Sequence, residues 1–346
     1  MSSGRAASVW AKCPHGGSGI LRMRQLKNHS TLFALLIAFP ILLGCGSWAG
    51  RMFVRSLSRL NSTIEPAPRT ITTPLLTGPG LAVAWSGHAT VLFQIHDKVF
   101  VTDPFFSNAV AMVVRRYVAP GLDPDSLTSV DATLISHIHF DHFSYGSLDR
   151  LPKNGALFVP EGALPYTPEF GFASLHELSA WESVEHEGVR ITAVPVQHFS
   201  GRYGIDGAWM RNIGYTGYIV EYEGICVFYG GDTGYDPATF KEIGRKYSID
   251  LAIIPIGPGS SREIGGRIHV HPGGAMTIFR ELRARYLLPM HHSTMYYGSD
   301  DDPRASITTI RQLAAESGIS DRLLDLEVGE QRIVFRGRPL PAGGQE

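Results

Sequence analysis

The chain has 346 residues, 44% apolar and 18% charged, enough to fill the core of one large α/β domain. With 31 basic and 32 acidic residues the net charge is −1, so the sequence carries no electrostatic footprint for nucleic acid. Three cysteines, Cys13, Cys45 and Cys226, are widely spaced and odd in number, which excludes a disulfide framework and a cysteine-based zinc finger.

Taken in order, residues 31–43 form an uncharged apolar run, shorter than the roughly 20 residues a membrane-spanning helix needs. Arg22, Arg24 and Lys27 precede it, the arrangement of a signal segment with a basic start and an apolar middle. The Leu42-Leu43-Gly44-Cys45 that follows resembles the lipobox of bacterial lipoproteins, in which the cysteine becomes the lipid-modified first residue. The run fits best if translation starts at Met23; an uncleaved signal anchor is the alternative. Residues 1–45 are therefore expected to be an N-terminal extension and signal segment, and the Ser/Thr/Pro-rich residues 46–78 a tether. Residues 79–340 would be the folded body, held at a membrane in the bacterial cell envelope, outside the cytoplasm.

From Leu81 the pattern changes. Leu81–Trp85, Thr90–Ile95 and Val99–Thr102 are short apolar runs separated by turns, and read as an antiparallel meander ended by Asp103-Pro104. Phe105 to Pro120 is apolar without a clean period, so it either packs over the core or forms a substrate or membrane surface. A strand over 131–136 runs into Ser136-His-Ile-His-Phe-Asp-His142. In extended chain alternate side chains share a face, so His137, His139 and Asp141 can converge on one point. His142 breaks the alternation and can face a second point nearby. Four potential ligands in six residues, split this way, suggest a two-metal site.

A helix over Tyr145–Leu151, a strand over Ala156–Pro160 and a strand over Val189–Val196 follow, the last entering Gln197-His198-Phe199-Ser200-Gly201-Arg202. Tyr215–Tyr222 and Ile225–Tyr229 flank a Glu223-Gly224 turn as a hairpin ending in Gly230-Gly231-Asp232-Thr233-Gly234. Next come a strand over Leu251–Ile256, a helix over Gly273–Ala284, a strand over Tyr286–Met290 leading into His291-His292, a helix over 303–317, and two C-terminal strands turning at Gly329. Strand-rich halves each followed by helices suggest sheet packed on sheet with helices outside. His137, His198, Asp232 and His291 each follow a strand, where ligands can be held rigidly at one sheet edge. Histidine and carboxylate are the donors of catalytic rather than structural zinc, which keeps a position open for water.

The series His137-x-His139-x-Asp141-His142, His198, Gly-Asp232-Thr-Gly and His291 resembles the ligand series of the metallo-β-lactamase-fold hydrolases, over Leu81 to the C-terminus. The flanking Trp85-Ser-Gly-His-Ala-Thr90, Thr102-Asp-Pro-Phe-Phe-Ser107, Gln197–Arg202, Pro255-Ile-Gly257 and His269-Val-His-Pro272 look like the branch containing N-acylphosphatidylethanolamine-hydrolysing phospholipase D. The resemblance implies an α/β fold, the four-layer αββα sandwich, and two zinc ions. His137, His139 and His198 would hold one zinc, and Asp141, His142 and His291 the other, with Asp232 bridging. His291 rather than His292 aligns with the family's ligand. His269 matches a histidine of that branch which assists substrate or leaving group, so Asp141, Asp232 and His269 are the catalytic candidates. His88 and Asp103 match the branch as residues that orient ligands without binding metal, and Cys226 reads as a small buried residue.

The implied reaction is attack of a metal-bridging hydroxide on a phosphodiester of a lipid-like or other small substrate, with neither a Ser nor a Cys nucleophile. A lactonase or other hydrolase of the same fold is the alternative, and a non-catalytic envelope protein a third reading, against which the complete ligand set speaks. Class B β-lactamase activity does not fit the Asp of His-x-His-x-Asp-His. Two departures put lipid specificity in question. His292-Ser293 stands where the branch usually has Trp-Gly, and His271-Pro-Gly-Gly replaces an acidic run. Oligomeric state is not legible.

Overall fold

Alternation of apolar residues along the strands decides which face each presents, and the fold follows from it. A computed structural model describes residues 56–337 apart from 204, 205, 211 and 297–301. The apolar run at 31–43 and Cys45 lie outside the described residues.

The meander forms as expected from β1 (Pro79–Gly87), β2 (Thr90–Ile95) and β3 (Lys98–Thr102), paired antiparallel. β4 (Ala109–Val110) and β5 (Val114–Arg115) make a small separate hairpin. β6 (Ala132–Leu134), β7 (Ala156–Pro160) and β8 (Ser174–Leu178) extend the first sheet in parallel. The second sheet holds β9 (Ser183–His186), β10 (Val189–Val194), β11 (Gly217–Tyr222), β12 (Ile225–Tyr229), β13 (Leu251–Pro255) and β14 (Tyr286–Met290). β15 (Gln331–Arg336) returns to pair antiparallel with β1. The orders are β15-β1-β2-β3-β6-β7-β8 and β14-β13-β12-β11-β10-β9.

Residues of one parity fill the space between the sheets: Leu81, Val83 and Trp85 of β1, Val91, Phe93 and Ile95 of β2, Val227 and Tyr229 of β12, Leu251 and Ile253 of β13. The other parity of the second sheet, Phe228, Ala252 and Ile254, packs with α2 (Pro237–Lys246), α3 (Pro272–Leu282) and α4 (Ala305–Glu316). On the far face of the first sheet, Leu92, Val101 and Leu157 meet Leu148 of the short α1 (Tyr145–Asp149). Two sheets between helical layers are the four-layer αββα sandwich.

Three expectations change. The C-terminal strand pair is a single strand. Leu324, Leu326 and Val328 do point into the core, but the chain turns at Gly329 (φ 85°) and gives its ladder to β1 instead. A Cβ on Gly329 would lie 1.7 Å from the Arg69 carbonyl oxygen, so only glycine lets the turn close there. The segment expected to be tether joins the body well before residue 79. Glu65 exchanges hydrogen bonds with Tyr117 and Ala119, Ile71 donates to the Gly121 carbonyl, and the Ile71 side chain is buried. Buried apolar surface and paired amides hold this part of the Ser/Thr/Pro-rich stretch to the domain. Finally, the apolar 105–120 segment packs over the core through Phe105, Tyr117 and Val118, which are buried, while Met112 at the hairpin tip is 86% exposed.

Candidate metal centre

The site sits where strands of both sheets end. β3 runs parallel to β6, and β12 to β13 and β14, so their C-terminal ends share an edge. Asp103 follows β3, the histidine segment follows β6, Asp232 follows β12 and His291 follows β14. Open parallel sheets place ligands at such carboxyl ends.

Among the described residues the ligand-type side chains form two main groups, and a third set, Asp103 with His137 and His142, overlaps both. His137, His139 and His198 bring one ring nitrogen each within 4.8 Å of one another, and so do His88, Asp141, His142 and His291 with one donor atom each. Alternation alone, which put Asp141 with His137 and His139, is corrected here: Asp141 lies with His142, His291 and His88. The backbone is not extended past His139. The amides of His142 and Phe143 both donate to the His139 carbonyl, at 3.1 and 2.8 Å, and this turn swings Asp141 to the other group. Asp232 stands between: its Oδ2 lies 3.3 Å from His142 Nε2, 3.2 Å from His291 Nε2 and 3.7 Å from His269 Nδ1. Gly231 (φ 54°) makes that approach possible, since a Cβ there would be 2.3 Å from Ser136 Cβ. His292 turns away, its ring 4.5 Å from that of Trp85 and its Nδ1 2.8 Å from Ser293 Oγ.

Three of the inward rings are oriented through their other nitrogen. His137 Nδ1 is 2.9 Å from Ser136 Oγ, His198 Nδ1 donates to the Ile268 carbonyl at 2.9 Å, and His142 Nδ1 donates to Asp103 Oδ2 at 2.6 Å. That leaves the Nε2 atoms of His137, His142 and His198, with Asp232 Oδ1, buried and without a hydrogen-bond partner among the described residues. Orphaned buried donor atoms of these types, aimed at common points, are what a metal cation satisfies.

Asp103 holds the arrangement together. Its Oδ1 accepts from the Ser136 amide (2.7 Å), and its Oδ2 from Ser136 Oγ (2.5 Å), His142 Nδ1 (2.6 Å) and Tyr229 Oη (2.5 Å). Tyr229 was legible only as a strand end; nothing in its sequence context marks the contact. His88, expected to orient ligands, stands closer than that, with its Nε2 3.3 Å from Asp141 Oδ2. His88, Asp103 and His291 all adopt positive φ (57°, 32° and 61°), conformations uncommon for such residues and retained where the surroundings enforce them.

The electrostatics differ between the groups. Burial, with the neighbouring imidazoles, holds His137 well below its ordinary value, and burial brings His198 down to about 3. Burial likewise lowers His139. Burial also opposes charge on His142, yet Asp232, Asp141 and Asp103 together raise it well above the usual range. Against the same burial, Asp141 is held low by His142 and His88, and Asp232 by His291, His142 and His269. His269, pulled to about 4 mainly by burial, is neutral at pH 7.

Residues 98–292 match the model of the Beta-lactamase superfamily domain. The chain is 29% identical over 271 residues to N-acyl-phosphatidylethanolamine-hydrolyzing phospholipase D 1 of Caenorhabditis elegans, covering 72% of this chain and 75% of that one. It is 28% identical over 212 residues to a UPF0173 metal-dependent hydrolase of Methanoregula boonei, covering 61% and 82%. A possible metal-dependent hydrolase from Veillonella parvula superposes with a TM-score of 0.58 over 73% of this chain and 99% of that one, at 18% identity.

Proposed function

The chain belongs to the beta-lactamase superfamily, and we propose that this metal-dependent hydrolase is a di-zinc phosphodiesterase acting on a lipid-like substrate. One observation carries the reading: Asp232 stands between two groups of ligand-type side chains, with its own Oδ1 and the Nε2 atoms of His137, His142 and His198 buried and unsatisfied, and His269 beside it. The likeness to the nematode phospholipase D supplies the bond type. His137, His139 and His198 would hold one ion, and Asp141, His142 and His291 the other, with Asp232 shared. Ions held there would supply an activated water and charge screening for the phosphoryl oxygens.

The chain's own residues do the rest. Asp103, through His142 and the Ser136 backbone, fixes the histidine turn so that little reorganisation is needed at reaction. His269, 30% exposed and neutral, can steady the departing oxygen with a hydrogen bond from its ring N–H. Asp141 and Asp232 stay ionised and act as ligands rather than nucleophiles. The N-terminal run and Cys45 support attachment to the membrane of a bacterial envelope, which would bring the site to its lipid.

The test is a hydrolysis panel on the purified protein with metal analysis, comparing bis-p-nitrophenyl phosphate, an N-acylphosphatidylethanolamine and a lactone. Phosphodiester cleavage lost on chelation and restored by zinc is expected; lactone cleavage alone would overturn the reading.

A further inference from the structure

Arg202 has no part in the reaction as described, yet it is almost fully buried beside the site. It lies four residues after His198, on the loop leaving β10. Its Nη1 donates to the Ile138 carbonyl (3.1 Å) and the Phe143 carbonyl (2.8 Å), the two that bracket His139, Phe140, Asp141 and His142. The guanidinium lies between the Phe140 and Tyr145 rings, 4.3 and 4.2 Å from their centroids, with Phe143 at 5.6 Å. Its own backbone is locked in turn. Asp206, itself buried, accepts from the Arg202 amide (2.6 Å) and the Tyr203 amide (2.8 Å).

We infer that Arg202 is a positioning residue: it joins the loop carrying His198 to the turn carrying His139–His142, and so sets how the three histidines of the first group meet. His198 is tied at its other side to Ile268, so without Arg202 this loop could move relative to the histidine turn while each stayed folded. A planar fork that stacks on two rings and bonds two carbonyls suits arginine; lysine brings charge without the plane. The inference rests on the reading of these histidines as metal ligands.

The experiment titrates the metal-free protein with Co2+, following its d–d absorption, for wild type, Arg202→Met and Arg202→Lys. Arg202→Met is expected to weaken Co2+ binding tenfold or more and to lower kcat with KM within twofold. Its metal-free melting temperature should stay within about 3 °C of wild type, a shift small for a domain of this size. Arg202→Lys should fall between the two in affinity, and decides the matter alone if the Met variant does not fold. Wild-type binding matched by both variants overturns the role of Arg202, as does a metal-free melting temperature that falls in step with affinity. Failure of the wild type itself to bind Co2+ would instead overturn the metal reading.

Discussion

The first donor group is three imidazoles and no carboxylate; the second adds Asp141 to its imidazoles and leans on Asp103 and Asp232 behind it. In the first, burial keeps the rings uncharged, so it is a neutral socket ready at neutral pH. In the second, the packed carboxylates of Asp232, Asp141 and Asp103 raise His142 well above its usual range against the cost of its burial. One group is preformed by packing, the other by charge balance.

Predictions follow from that contrast. Asp232→Asn removes the charge both groups share, and should cost at least about 100-fold in turnover while the far-UV signal is kept. Near-normal turnover with full metal content would break the assignment. Asp103→Asn strikes chiefly the second group through His142, and should cost roughly 10–100-fold in activity or metal affinity, the range usual for residues that orient ligands. Equal loss of both metals in a stoichiometric titration would blur the contrast.

Gly231→Ala places a methyl against Ser136 at a positive φ, and should lower thermal stability by at least about 2 kcal/mol and loosen both groups alike. An unchanged melting curve would show that the approach of Asp232 is not so confined.

The mildest test is pH. In the metal-free protein His88, His198 and His292 are held to about 3 by burial, whereas the unfolded chain binds protons below about 6.5. Their contribution is full above that value and shrinks as pH falls through it. His142 runs the other way, stabilising below 6.5 and losing its contribution as pH rises through its raised folded value. Because the lowered histidines outnumber it, the melting temperature after chelation should fall from pH 7.5 to 5.5. His142→Gln should steepen that fall; a rise on acidification would reverse the proposed charge balance.

Much of this site was legible because strand ends and ligand types are local. His198, Asp232 and His291 each follow a short apolar run that reads as a strand, and the structure brings them to one edge. The choice of His291 over His292 came from alignment, and the ring of His292 against Trp85 accords with it. What alternation misjudged was Asp141, because the turn closing on the His139 carbonyl is a hydrogen-bond choice that spacing does not reveal. The tether boundary erred because composition records what a segment is rich in, while one isoleucine in the right place suffices to dock it.

The sequence by itself determined a sheet-on-sheet core with helices outside, through the order of its apolar runs and helices, and the kinds of donor at the strand ends, through residue type. Only the tertiary structure decided which donors share a point, that His88 reaches Asp141, that Tyr229 and Ser136 meet on Asp103, and that Arg202 spans the histidine turn. Those contacts join residues tens to hundreds apart along the chain. They depend on how two sheets and their loops close on one another, and periodicity within a segment is silent about the distance to any other.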